Sequence, residues 1–237
     1  MNEQQFYERQ YGEKKLVSVS SYPFLRKIFR QFDLHREDLS LSLLDRGMTL
    51  LDIGCGNGSL IVKATKKFKE FYGVDISPSR IEEAKKRVTE QFGVSNNFHF
   101  SVCNINEKID FPGNLFDAVT CIAVIEHVFD PYFVISEIYR VLKDDGIFIV
   151  EVPNIAYLRY RTYLLFGKLP VTSSPLKWKE IGWDGGHLHY FTKQTFCRLL
   201  EECGFKILKV TGSGLLAKFR NFYPALLTGD LCVKAKK

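Results

Sequence analysis

Strand-like and helix-like segments alternate along most of this chain, and this alternation constrains the fold more than any other feature. Short apolar runs are followed by stretches in which apolar residues recur at helical spacing. Strands that are joined through helices pair in parallel, because such a crossover brings the next strand back in the same direction. The pattern therefore predicts an α/β fold built on a parallel sheet.

The predicted strands are residues 48–53, 71–75, 98–103, 116–122, 147–152, 206–211 and 230–236. Helices are predicted to begin at Ser77, Asp130 and Thr192, because these side chains can cap a helix and the first two precede a proline. Residues 143–146 are predicted to form the turn before the fifth strand.

Three segments lie outside this alternation of strands and helices. Residues 1–45 are predicted to form an N-terminal helical cap with a helix at 23–32, and residues 46–237 form the main domain. Within that domain, residues 154–190 are a candidate lid, and residues 212–229 are an insertion that contains a helix. Ligands of open α/β sheets bind beyond the carboxyl ends of the strands, where long insertions commonly cover the site.

The charge balance and the cysteines narrow the class of protein. With 33 basic and 27 acidic residues the chain carries a net charge of +6, without the clustered basic character of a nucleic-acid binder. No apolar run approaches the roughly 18–20 residues of a membrane span, and the first residues do not resemble a secretory signal. The six cysteines have no metal-ligand spacing. We expect a cytoplasmic protein with free thiols and no metal site.

Three glycines, Gly54, Gly56 and Gly58, follow the first predicted strand. In a turn from strand to helix, their backbone N–H groups can approach a nucleotide closely. The dinucleotide fingerprint requires a glycine or alanine at position 59, where this chain has Ser59. The loop therefore favours a nucleotide-containing ligand other than a dinucleotide.

Two acidic residues at strand ends narrow the choice of ligand. Asp52 precedes the glycine loop, and its carboxylate would repel a pyrophosphate but attract an ammonium group. S-adenosylmethionine carries such an amino group together with a nucleoside. Asp75 ends the second strand and can accept hydrogen bonds from both ribose hydroxyls. The alternative for Asp75 is an ordinary residue at the entry of the next helix.

Four ordered motifs resemble the class I S-adenosylmethionine-dependent methyltransferases: LLDIGCGNGSL, YGVDIS, LFDAVTCIAVIEHV and VLKDDGIFIVEVPN. They cover most of residues 45–152. The resemblance implies a Rossmann-like sheet of seven strands, six parallel and the last antiparallel, with helices on both faces. It also implies that S-adenosyl-L-methionine is the cofactor and S-adenosyl-L-homocysteine the product.

The same resemblance implies where the cofactor lies. Asp52 and the glycines surround its methionyl part, and Asp75 binds the ribose. Asn104 is the nearest match to the family's acidic residue that accepts a hydrogen bond from the adenine amino group, and an ordinary turn residue is the alternative. The remaining predicted cofactor contacts are Cys55, Ile76, Ile105 and Ile122.

The methyl acceptor is predicted to be a small molecule. Base-modifying relatives carry an Asn-Pro-Pro-Tyr-like turn after the fourth strand, and this chain has AVIEH at residues 123–127 instead. The tract 152–192 resembles small-molecule methyltransferases that include ubiquinone-pathway O-methyltransferases and enzymes of sugar biosynthesis. It also looks like the methionine-biosynthesis MetW proteins, which implies an alternative role as an accessory protein of an acyltransferase.

An acceptor hydroxyl must lose its proton, and a histidine with a pKa near neutrality is suited to take it. His127 follows the fourth strand, whose carboxyl end lies beside the transferable methyl group in this family. His187 and His189 are two residues apart in a predicted extended segment, so both point the same way and either could enter the site from the lid. A hydrogen-bonded histidine at the sheet rim is the alternative for each. Glu126 either contacts cofactor or acceptor or caps the next helix.

Residues 157–168 interleave aromatic and aliphatic side chains with Arg159, Arg161 and Lys168, which is typical of a helix that lies in a membrane surface. A lid helix that packs on the sheet rim, with its basic residues reaching water, is the favoured interpretation. A membrane surface stays open as an alternative partner.

Overall fold

The structure is a computed structural model that describes residues 4–5, 33–173, 184 and 186–237. Its centre is a sheet with the strand order β3-β2-β1-β4-β5-β7-β6. The strands are β1 (Thr49–Ile53), β2 (Glu70–Asp75), β3 (Phe98–Val102), β4 (Phe116–Ile122), β5 (Leu142–Pro153), β6 (Lys206–Thr211) and β7 (Asp230–Lys236). The last strand runs antiparallel to both of its neighbours, and the other six run parallel. The predicted topology is therefore confirmed.

Helices connect and flank these strands. They are α1 (Arg36–Leu43), α2 (Ser59–Ala64), α3 (Pro78–Phe92), α4 (Pro131–Val141), α5 (Leu158–Leu165), α6 (Lys193–Glu202), α7 (Ala217–Arg220) and α8 (Pro224–Leu227), with a 3-10 turn at Ile125–His127. The helix predicted at 23–32 lies outside the described residues. Among the described helices, none has the length and apolar character that crossing a membrane requires.

Local capping explains where three of these helices begin. Ser77 accepts a hydrogen bond from the backbone N–H of Arg80 (3.3 Å), and Asp130 accepts one from Phe133 (3.1 Å). Thr192 forms a reciprocal capping box with Thr195. The predicted starts of α3, α4 and α6 are confirmed.

The structure differs from the prediction at residues 143–146. These residues belong to β5, which begins at Leu142 opposite Phe116, and the pairing resumes with Ile147 opposite Ala118. The extra residues bulge out of the ladder, with Asp145 at a positive φ of 65°. The turn-forming residues 143–146 therefore form a bulge inside β5 and not a turn before it.

Each face of the sheet buries its own apolar cluster, because successive strand residues point to opposite faces. Leu51 and Phe148 pack with α4 and α6 on one face. Leu50 and Ile149 pack on the other face with α2, α3 and Leu39 of α1. Helix α1 lies within the segment predicted as the N-terminal cap, and in the structure it contributes to the core beside β1.

Asn154 joins the segments that follow β5 and precede β7. Its buried side-chain amide donates hydrogen bonds to the carbonyl oxygens of Thr228 (2.9 Å) and Ala225 (3.1 Å). Its Oδ1 accepts a hydrogen bond from the backbone N–H of Ala156 (3.1 Å). The candidate lid and the insertion at 212–229 are thus connected at the carboxyl edge of the sheet.

Replacing this amide should destabilise the fold. We expect Asn154→Ala to lower the free energy of unfolding by roughly 2–3 kcal/mol, because it leaves buried carbonyls and an N–H group without partners. Asn96→Ala, at an exposed position, should change it by less than about 0.5 kcal/mol. Urea unfolding monitored by circular dichroism measures both values, and equal effects would contradict the role assigned to Asn154.

Candidate active site

A cavity of about 550 Å³ opens at the carboxyl edge of the sheet. Its walls come from the residues that follow β1 through β5 and from Asp230 at the start of the antiparallel β7. The volume falls within the roughly 300–1,000 Å³ typical of small-molecule sites. Most of the predicted site residues line this cavity: Asp52, Gly54, Cys55, Gly56, Asp75, Ile76, Asn104, Ile105, Ile122, His127 and His187.

The glycine loop follows β1 with all three glycines in the left-handed region, at φ values of 68°, 52° and 73°. A Cβ on Gly54 would lie 2.3 Å from Val124 Cγ2, so a side chain there is excluded. A Cβ on Gly56 would meet nothing within 4 Å, because this residue borders the open cavity. Gly58 lies behind the loop, where it caps α2 and its Cβ position is 3.1 Å from Ala84 Cβ.

Asp52 is buried at the end of β1, and its Oδ1 accepts a hydrogen bond from the Thr120 hydroxyl at 2.6 Å. Burial raises the pKa of this carboxyl to about 7, against the effect of the Thr120 hydrogen bond. The negative charges of Glu37 and Asp75 raise it further. An ammonium group in this part of the cavity would favour the ionised form of Asp52.

Asp75 fixes the loop from the neighbouring strand. Its Oδ2 accepts a hydrogen bond from the Gly56 N–H, and its Oδ1 accepts one from the Ser77 N–H, both at 2.9 Å. Asp75 also lines the cavity, so its carboxylate borders the space that a ligand can occupy. The helix-entry alternative and the ligand contact are therefore compatible for this residue.

Asn104 lies in the turn after β3, beside Cys103 and Ile105 in the cavity wall. Its Oδ1 accepts a hydrogen bond from the backbone N–H of Asn106 at 3.1 Å, which is the geometry of a side-chain turn. This supports the turn interpretation without excluding a contact to a ligand. Its role towards adenine stays a prediction.

Two of the predicted histidines meet in the wall of the cavity. The ring centroids of His127 and His187 are 4.7 Å apart. His127 Nδ1 donates to the Gly186 carbonyl at 2.6 Å, and burial lowers the pKa of this imidazole. Burial and the neighbouring His127 lower the pKa of His187 to about 4. Both imidazoles are therefore neutral near pH 7.

A chain of hydrogen bonds orients His187. The Thr172 hydroxyl lies 2.8 Å from Asp184 Oδ2 and 2.7 Å from His187 Nδ1. Because the hydroxyl has one proton, donation to the carboxylate makes it the acceptor for an N–H on His187 Nδ1. The unprotonated Nε2 then lies on the side of Glu126, 3.9 Å from Glu126 Oε1.

His189 does not reach the cavity. Its Nε2 donates to the Val128 carbonyl at 2.8 Å. The backbone N–H groups of Leu188 and His189 both donate to the Glu126 carbonyl, so the chain bends here and the two histidines separate. The sequence predicts an extended segment in which His187 and His189 point the same way. The structure shows a bend there instead, so this prediction is wrong.

A group of charges around the buried Glu151 completes this part of the site, and sequence reasoning assigned no role to most of it. Arg36 of α1 places Nε 3.0 Å from Glu151 Oε1 and Nη2 3.9 Å from Asp230 Oδ2. Burial raises the pKa of Glu151 to about 7, although Arg36 acts in the opposite direction. Glu151 could have been noticed as the one charge in the apolar run 147–152. Arg36 carries no motif that would have revealed it.

Glu126 borders the cavity with only 1% of its surface exposed. Neither carboxyl oxygen has a hydrogen-bond partner on another residue in the described part of the chain. Burial raises the pKa of Glu126 to about 8, since the nearby Arg36 offsets only part of the desolvation. The side chain is therefore mostly protonated near neutral pH and can donate or accept a hydrogen bond.

Glu126, His127 and His187 also offer the ligand types of a divalent-metal site. One ligand atom from each lies within 4.8 Å of the others. Since the Nδ1 atoms of both histidines are held by protein groups, their Nε2 atoms would serve as ligands. The same atoms would serve as proton acceptors, so a bound metal and a histidine base exclude each other.

The buried acid predicts an unusual pH dependence of stability. The folded pKa of Glu126 is about 8 against an ordinary value of 4.5, so the folded protein holds a proton that the unfolded chain loses between these pH values. The free energy of unfolding therefore falls as pH rises through this window. We expect Glu126→Gln to raise the melting temperature over wild type, and to do so more at pH 8 than at pH 5.

The exposed Glu201 is the matched control, and Glu201→Gln should show no such pH-dependent difference. Scanning calorimetry across the pH range measures the melting temperatures of all three proteins. A constant difference between Glu126→Gln and wild type would contradict the assigned burial effect.

Comparison with known proteins places this geometry in context. Ubiquinone biosynthesis O-methyltransferase of Cereibacter sphaeroides is 33% identical over 129 residues, 54% of this chain and 49% of that protein. The enzyme of the same name from Colwellia psychrerythraea is 28% identical over 167 residues, 70% of this chain and 63% of that protein. The chain thus spans about half to two thirds of the length of these curated relatives.

The fold and the family follow from two further comparisons. The crystal structure of an S-adenosylmethionine-dependent methyltransferase from Mesorhizobium loti superposes with a TM-score of 0.63 at 18% identity, covering 85% of this chain and 97% of that one. A family described as a methyltransferase domain matches residues 24–210. The chain therefore belongs to the methyltransferase domain family and has the fold of the class I S-adenosylmethionine-dependent methyltransferases.

Proposed function

We propose that this protein transfers a methyl group from S-adenosylmethionine to an oxygen atom of a small hydroxylated molecule. The observation that carries the proposal is one cavity lined by the glycine loop and two acids, which we assign as its cofactor end, and by two histidines, which we assign as its acceptor end. Similarity to O-methyltransferases supports oxygen as the acceptor atom.

The first end of the cavity suits the cofactor. Asp52 offers a buried carboxyl to the amino group, and an ammonium there would offset the cost of ionising it. Asp75 lines the cavity and can accept hydrogen bonds from the ribose hydroxyls, and the bare backbone at Gly56 permits close approach. Cys103 and Ile105 supply apolar surface for the adenine. When bound, the cofactor supplies an electrophilic methyl group on a sulfonium.

The second end suits proton removal from the acceptor. Methyl transfer to a hydroxyl oxygen would require that hydroxyl to lose its proton, and a residue of this chain would have to accept it. Burial keeps His127 and His187 neutral, so either imidazole has an unprotonated nitrogen to accept that proton. The protonated Glu126 can hold the acceptor oxygen by donating a hydrogen bond.

The sequence predicts a histidine that titrates near neutrality, whereas burial in the structure lowers the pKa of both histidines of the cavity. The group with a pKa near 8 is Glu126. We therefore expect activity to fall above about pH 8, because ionisation of Glu126 turns a hydrogen-bond donor into a buried charge.

Removal of the Asp75 carboxyl tests the cofactor end. We expect Asp75→Ala to weaken binding of S-adenosylhomocysteine at least about tenfold, since hydrogen bonds to a charged acceptor contribute roughly 1.5–3 kcal/mol. Asp110→Ala removes an exposed acid outside the cavity and should leave affinity unchanged. Isothermal titration calorimetry gives both dissociation constants. Unchanged affinity in a folded Asp75→Ala protein would overturn the cofactor assignment.

Histidine replacement tests the acceptor end. We expect His127→Ala and His187→Ala each to lower kcat at least about a hundredfold while preserving cofactor affinity, because general-base catalysis contributes roughly 10²–10⁴. His189→Ala is the matched comparison, since His189 lies outside the cavity and should retain near-normal turnover. Formation of S-adenosylhomocysteine is measured with catechols, phenols and sugars as acceptors, after removal of metal ions with a chelator.

The outcomes of this series separate the possible roles of the site. Near-normal turnover in both cavity variants would overturn the base role. Loss of wild-type activity on chelation, restored by a divalent cation, would assign the same three side chains to a metal. Cofactor binding without turnover on any acceptor would favour the accessory-protein alternative.

A further inference from the structure

Beyond the proposed chemistry, two segments beside the cavity leave a large apolar surface uncovered. None of the described residues of α5 or α8 is buried. Leu165, Phe166 and Phe222 are 79%, 76% and 83% exposed. We call the following set the apolar surface: Leu158, Leu164, Leu165, Phe166, Leu169, Leu215, Phe219, Phe222 and Tyr223. Exposed apolar side chains in such a concentration indicate a binding surface.

The two segments, residues 155–173 and 212–229, are neighbours in space. The Arg220 guanidinium lies 4.9 Å from the centre of the Tyr157 ring. Asn154, at the start of the first segment, donates hydrogen bonds to the carbonyls of Ala225 and Thr228. The exposed side chains of both segments therefore belong to one region of the molecule.

The charge of this region is strongly one-sided. The two segments contain Arg159, Arg161, Lys168, Lys218 and Arg220 and no acidic residue. The whole chain has a net charge of +6, so nearly all of its excess positive charge is found here. Except for the half-buried Arg220, these basic side chains are exposed.

We propose that this region docks the protein on an anionic lipid bilayer. Exposed leucine and phenylalanine side chains gain free energy by entering the boundary between headgroups and acyl chains, while lysine and arginine interact with anionic headgroups. The sequence favours a packed lid helix at 157–168, but α5 has no buried residue among those described. A helix that lies in a membrane surface explains both the exposure of α5 and the absence of acidic residues from the two segments.

The position of the region gives the docking a consequence. Thr172 and Ser173 of the first segment line the cavity, and so does Asp230, which directly follows the second segment. Docking therefore brings the acceptor end of the cavity close to the bilayer. An acceptor that carries an apolar chain would meet the cavity there.

Vesicle flotation tests the proposal on the full chain. Wild type should float with vesicles of phosphatidylcholine mixed with phosphatidylglycerol, and much less with phosphatidylcholine alone. High salt should weaken the binding, because it screens charges near the surface. Wild type that stays unbound with both vesicle types at low salt would overturn the proposal.

Paired variants separate the two contributions. Leu165→Ser combined with Phe222→Ser, and Lys168→Glu combined with Lys218→Glu, should each lower binding to the anionic vesicles at least about tenfold. Val94→Ser and Lys66→Glu change exposed residues of similar character outside the region and should bind as wild type does. Binding that neither pair weakens would contradict the assigned surface.

Light scattering in the absence of lipid tests whether a second copy of the chain binds the apolar surface instead. The proposal expects a species whose mass is unaffected by either pair of substitutions. A dimer that Leu165→Ser with Phe222→Ser dissociates, without vesicle binding by wild type, would assign the surface to a second copy of the chain and overturn the proposal.

Discussion

Three carboxyl groups, those of Asp52, Glu126 and Glu151, are buried at the carboxyl edge of the sheet with one guanidinium, that of Arg36, beside them. Burial raises the pKa of each carboxyl to about 7 or 8, because a charge in this environment has lost most of its hydration. These carboxyl groups lie in an unfavourable setting, and the apolar packing on both faces of the sheet offsets its cost in free energy. A ligand that supplies a cation or hydrogen-bond partners relieves this cost, and that relief is available as binding free energy.

The two ends of the cavity are organised by different means. At the cofactor end, positions close in sequence suffice: the strand tips carry Asp52 and Asp75, and Asp75 holds the glycine loop through the Gly56 N–H. At the acceptor end, distant segments converge, since the Glu126 carbonyl holds the backbone at Leu188. Thr172, Ser173 and His187 therefore complete the part of the cavity beside His127, while the glycine loop is held from the neighbouring strand.

The segment after β5 and the segment before β7 stabilise the fold at their bases and expose apolar side chains in their outer parts. Asn154 connects them through buried hydrogen bonds, so their bases are fixed to the core. Their outer parts carry apolar and basic side chains that the described core does not cover. The apolar surface is in this way connected to the core at its base while its side chains remain exposed.

The sequence by itself determined the parallel sheet, the helix caps and the position of Asp52 next to the glycine loop, because these depend on short-range spacing within apolar runs and around capping residues such as Thr192. Only the tertiary structure decided which residues surround His127. The pairing of Arg36 with Glu151 joins residues 115 positions apart, and such a contact has no local pattern. The bend that separates His187 from His189 likewise comes from hydrogen bonds to Glu126 in another segment. Burial shifts the pKa of a group because residues from several distant segments exclude water from it. The sequence near that group does not reveal which segments these are.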